Sequence, residues 1–113
     1  MENVIDIAKS KIDDLIKLNN NKCTLLKKLY EVTKLQSIDI SSNSLNSLLD
    51  HIKQKQDIMN EIDDIDKKFY TQFQDLKLHL GIKSLEDVDI NEFPEVASLK
   101  FSVKEVMDLL GEI

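Results

Sequence analysis

The sequence predicts an all-α protein, a long antiparallel helical hairpin of coiled-coil type followed by a shorter C-terminal amphipathic helix. Three observations carry this. The 113 residues include only 2 Gly and 1 Pro, and a chain so poor in turn formers has few, long elements. Strands rarely exceed about ten residues, so elements of this length in water are helices. Apolar residues also recur at steps of three and four over two stretches of similar length, which is the period of a helix with one apolar face.

The first helix is expected over about residues 3–37, with apolar positions Ile5, Ala8, Ile12, Leu15, Ile16, Leu26, Leu29, Tyr30 and Thr33. Asn19-Asn20-Asn21 interrupts that pattern. With no Gly or Pro beside it, the run reads as an exposed polar turn of a continuous helix. A break is expected at Ile38-Asp39-Ile40-Ser41-Ser42-Asn43, where Ser and Asn suit the N-cap of the next helix.

The second helix, about 43–80, has the clearest periodicity: Leu45, Leu48, Leu49, Ile52, Met59, Ile62, Ile65, Phe69, Phe73, Leu76 and Leu80. It would be about 55 Å long, which demands a long partner beside it. The first stretch is such a partner, and a short connection makes the pair antiparallel. Leu80-Gly81-Ile82 is a glycine stop of the Schellman kind. A loop follows over 82–93, with a helical turn near Leu85–Val88. Pro94 suits the first turn of a third helix, about 94–111. Its stripe is Val96, Leu99, Val103, Val106 and Leu110, with Phe93 and Phe101 nearby. All of this fits one domain over residues 1–113.

Charge narrows the partners. All 15 basic residues are lysines, and the net charge is −6. Without arginine there is no bidentate fork for phosphate or carboxylate. The acidic excess is concentrated after residue 81, where 3 Lys face 8 acids. An acidic chain repels polyanions, so neither nucleic acid nor an anionic membrane surface is an expected partner. No apolar run approaches the roughly 20 residues that span a bilayer, and Glu2, Asp6 and Lys9 interrupt any N-terminal leader. The expected compartment is the cytoplasm.

Residues that could do chemistry do not assemble into a motif. His51 and His79 lie about 42 Å apart along one helix and cannot share a metal within a chain. Asp75 and His79 read as an i,i+4 pair on a solvated face. Cys23 has no histidine near it in sequence and reads as a small residue in a helix interface. Glu61, Asp63, Asp64 and Asp66 fall within a helix pattern. Asp87-Val88-Asp89-Ile90-Asn91 begins like a calcium loop, but Glu92 and Ser98 stand where Gly and Glu are required. No catalytic residue, metal or cofactor is expected. The stripe on the third helix is either core or a surface for a partner helix, and the residues leave both readings open.

The stretch Leu25-Leu26, Leu29-Tyr30-Glu31, Leu35, Ile38-Asp39, Leu45, Leu48-Leu49, Ile52, Lys55-Gln56, Ile58-Met59, Ile62-Asp63, Ile65-Asp66 and Phe69 resembles the FlgN-type flagellar type III export chaperone family. The resemblance covers about residues 20–75. It implies a cytosolic chaperone that binds the C-terminal helical segments of flagellar hook-associated (hook–filament junction) proteins. Such a chaperone prevents their aggregation and delivers them to the export apparatus. Its client-binding part corresponds here to Val96, Leu99, Val103, Val106 and Leu110. Family members carry a longer third helix than the roughly twenty residues that follow Pro94 here. The alternative on the same pattern is a non-catalytic scaffold or regulatory adaptor that self-associates, as a homodimer for example.

Overall fold

The computed structural model describes residues 4–88, 91 and 93–112, excepting the side chain of Glu112. Three α-helices stand among them, α1 (Val4–Ser41), α2 (Leu45–Leu80) and α3 (Glu95–Glu112), with a 3-10 turn at Leu85–Asp87 and no strand. The long axis measures 60 Å and the other two 22 and 21 Å, so the molecule is a rod.

Interhelix contacts fix the directions. Lys11 pairs with Asp75, Lys22 with Asp66 at 2.6 Å, Lys55 with Gln36 at 3.3 Å, and His51 with Asp39. As α1 numbers rise, α2 numbers fall, so this pair is antiparallel. Lys9 meets Glu95 at 3.8 Å and Asn19 meets Ser102 at 2.8 Å, so α3 runs parallel to α1. Its 18 residues cover about 27 Å. It therefore lies along less than half the rod, at the base where α1 begins. The other end, the tip, is a bare two-helix hairpin.

α1 continues through the expected break. Ile38, Asp39, Ile40 and Ser41 are helical, and only Ser42 and Asn43 form the turn. The cause is a Schellman closure: Ser44 N–H donates to Asp39 O at 2.9 Å and Asn43 N–H to Ile40 O at 3.3 Å. Asn43 takes the left-handed residue, φ 53, which Asn tolerates better than most side chains. Ser44 sits at the N-cap of α2 but its side chain makes no capping bond. The serines and Asn43 thus end one helix rather than cap the next. Gly81, φ 66, ends α2 with the same closure onto Leu78 and Lys77. In the following loop Ser84 and Asp87 form a capping box.

Two apolar clusters fill the interior. At the base, Ala8, Ile12 and Leu15 of α1 pack with Leu76, Phe93, Val96 and Leu99. Further up, Cys23, Leu25, Leu26, Leu29 and Val32 pack with Ile58, Ile62 and Val106. Between them Asn19 is buried. Its amide donates to the Ser102 hydroxyl, which in turn donates to Leu99 O at 2.7 Å. Asn20 and Asn21 are exposed as expected, but Asn19 is an internal polar contact that ties α1 to α3.

Burial of this kind sets the expected cost of truncation. Leu76 is fully buried and Leu78 is 83% exposed two residues away. Leu76→Ala should lower unfolding free energy by about 2–5 kcal/mol, and Leu78→Ala by no more than about 0.5 kcal/mol. Urea denaturation followed by far-UV circular dichroism measures both. Equal losses would show that the burial pattern is wrong.

Candidate partner-binding surface

Several groups capable of chemistry are engaged in structural contacts. Asp75 pairs with Lys11 across the hairpin rather than with His79, and the His79 ring donates to Val4 O at 3.1 Å. The sequence-local i,i+4 pair gives way because α1 supplies both partners. His51 donates to the buried Asp39 carboxylate near the tip, and Asp66 is held by Lys22. Among the described residues no three His, Cys, Asp or Glu side chains come together as metal ligands would. Asp87 is engaged in its capping box; Asp89 and Ile90 of the calcium-like run lie outside the described residues.

Cys23 is buried, and its thiol pKa is raised. Desolvation is the main cause and the Glu105 carboxylate adds to it, against smaller opposition from Lys27 and Lys22. A thiol held neutral is a poor nucleophile. Clefts are shallow and open. One of about 390 Å³ is lined by Lys27, Lys28, Glu31 and Gln54 with Val32 and Leu35, and is broadly open to solvent. Among the described residues no helix is long and apolar enough to cross a membrane.

What remains is apolar surface. The five stripe residues of α3 separate. Val96 and Leu99 are fully buried and Val106 is 7% exposed, so these three are core and not free to meet a partner. Val103 and Leu110 are 37% and 44% exposed. The reason is helix phase. The face turned to α1 follows Val96, Leu99, Ser102, Val106 and Leu109. Ser102, not Val103, supplies its middle, because Asn19 lies opposite and offers it a hydrogen bond. Val103 and Leu110 are displaced about 100° from Ser102 and Leu109. With Met107, 62% exposed, they form an open apolar edge near the end of α3. Phe101 is exposed separately.

A second apolar stripe belongs to α2. Leu45, Leu49, Ile52 and Met59 are all at least 44% exposed, while Ile58 and Ile62 are buried against α1. The expected apolar pattern of α2 joined Leu45, Leu49, Ile52 and Met59 to Ile62 in one seam and passed over Ile58, which is the core residue. The signal that separates them is present, since the adjacent pairs Leu48-Leu49 and Ile58-Met59 make the apolar face wider than one partner helix can cover. Near the tip the α1–α2 seam is instead polar, through Gln36–Lys55 and Asp39–His51.

The fold and this surface define a class, an open all-α hairpin with apolar faces on its outside. Comparison with family models, with curated proteins and with solved structures gives no significant match.

Two measurements check the internal groups. Ellman's reagent should modify Cys23 slowly in the native protein and at the rate of a free thiol in urea. Because the folded pKa is raised, the neutral thiol's contribution to stability is complete at neutral pH and fades as pH climbs past the unfolded thiol's value. In a double-mutant cycle, Ser102→Ala alone should cost about 1–3 kcal/mol by stranding Asn19. Asn19→Leu with Ser102→Ala should recover part of that. Additive losses would mean the two side chains do not interact.

Proposed function

We propose that this protein acts by binding a helix of another protein rather than by catalysis, as a cytosolic export chaperone of the FlgN type. Its clients on this reading are the C-terminal helical segments of hook–filament junction proteins, which it keeps from aggregating and hands to the export apparatus. The observation that carries the binding role is the apolar edge Val103, Met107 and Leu110 on α3. It runs from beside the Asn19–Ser102 contact towards the end of α3. Exposed apolar side chains at helical spacing on a charged surface mark a place where another helix docks. The particular clients rest on the resemblance in residues 20–75, not on the edge itself.

The physical demands of that role agree with the molecule. A holder of amphipathic segments needs a stiff frame and an apolar face, with no reactive group. The excess of carboxylates keeps a protein with exposed apolar side chains soluble. A scaffold or adaptor that self-associates is the second reading, and the exposed stripe on α2 favours it.

Calorimetric titration with junction-protein C-terminal segments should give a one-to-one complex at micromolar concentrations. Met107→Glu and Leu110→Glu should each weaken it by tenfold or more while leaving the helix content unchanged. If no flagellar axial protein bound at those concentrations, the chaperone reading would be lost.

A further inference from the structure

The stripe on α2 is distinct from the α3 edge and has features of its own. It occupies Leu45, Leu49, Ile52 and Met59, with exposures of 65, 55, 48 and 44%. The exposed Gln56 completes a ladder of steps four, three, four and three, which is the spacing of a coiled-coil seam. The ladder stops at Met59; the next positions on the same face are Asp63 and Asp66. It is confined to the part of α2 that lies at the bare end of the rod.

We infer that this stripe is the contact between two copies of the chain, with α2 packed antiparallel against α2 of the second copy about Ile52. Three observations select a second copy as the occupant. The first is self-complementarity, which a two-fold contact requires. Leu45 lies seven residues before Ile52 and Met59 seven after, while Leu49 and Gln56, three before and four after, are offset from each other by one residue. An antiparallel pair centred there sets Leu45 against Met59 of the second copy.

The second is charge. The whole chain carries −6, yet residues 42–60 hold only Asp50, Lys53, Lys55 and Asp57 and are neutral. Two copies can meet here without the repulsion that the base, with its acidic loop and α3, would bring.

The third is the match at the ends of the stripe. Glu61, Asp63 and Asp64 follow it, with no cation within ion-pair distance among the described residues. At the other end, α2 starts without a side-chain cap and without an acidic residue in its first turn. The leading N–H groups of a helix lack intrahelical acceptors and carry partial positive charge. In the antiparallel register Asp63 passes about one turn beyond Ser44 of the second copy. It comes to the helix end that lacks an anion, and the same contact is repeated on the other side of the two-fold axis. The four-helix junction so formed joins two rods tip over tip and leaves both α3 edges outside.

The contact is short, about four turns, so association in the micromolar range is expected. Sedimentation velocity from a few micromolar to several hundred micromolar should show the 13.0 kDa chain passing reversibly to a species of twice that mass. Ile52→Glu should stay monomeric throughout with unchanged helicity, and Asp63→Lys should raise the dissociation constant severalfold. Met107→Glu, on the α3 edge, should dimerise like the parent, so the test is independent of the client reading.

Register is read by disulfides. A Leu45→Cys chain mixed with a Met59→Cys chain should cross-link to each other far faster than either does to itself. Preferential self-linking would mean a parallel pair and would overturn the arrangement. A parent chain that stays monomeric at every concentration would overturn the dimer. So would a dimer that survives Ile52→Glu or is abolished by Met107→Glu. A monomeric parent whose junction-peptide binding is lost in Ile52→Glu would assign the stripe to a client instead.

Discussion

Two helices of 38 and 36 residues gain little from intrinsic propensity against the entropy of ordering them. Their pairing along one face supplies the burial that holds them, and the other features follow from that pairing. Leu25, Leu26, Leu29 and Val32 meet Ile58 and Ile62 in its middle. Towards the tip the contact becomes polar. Asp39 with His51 and Gln36 with Lys55 contribute direction more than burial. A buried carboxylate opposite one imidazole is satisfied in one register, and a slip of a turn would leave it unpaired. The hairpin is held by apolar area in its middle and aligned by hydrogen bonds near its turn.

α3 completes only the base. It adds Val96, Leu99 and Val106 to the interior and is pinned at mid-length by Asn19 and Ser102. Its shortness relative to the hairpin creates the functional asymmetry. At the base three helices bury Ile12, Leu15, Leu76, Val96 and Leu99 between them. At the tip there are only two, and Leu45, Leu49 and Ile52 face solvent. The rod is three helices thick at one end and two at the other, and Asp39, His51, Asp66, Asp75 and Asp87 are engaged in ion pairs or caps. The edge of α3 and the stripe of α2 lie on different helices and share no side chain.

The resemblance to flagellar export chaperones and the geometry bear on separate questions. The former suggests what is bound, through residues 20–75. The latter locates surface able to bind, chiefly outside the positions the resemblance implied. Of those five, Val96, Leu99 and Val106 are core, and Val103 with Leu110 is joined at the surface by Met107.

The order of residues by itself determined the helical class, the antiparallel hairpin and the glycine stop at Gly81. These depend on period, on the scarcity of Gly and Pro, and on backbone preferences acting within a few residues. It did not determine helix phase. Ile58 and Met59 are adjacent and comparably apolar, yet one is core and the other exposed, because that choice depends on where α1 lies. Likewise Ser102 displaced Val103 from the interior only because Asn19, 83 positions away, is opposite it. Local periodicity says that a helix has an apolar face; which atoms that face meets is settled by the neighbouring helices, through burial and hydrogen bonds between residues far apart in the chain.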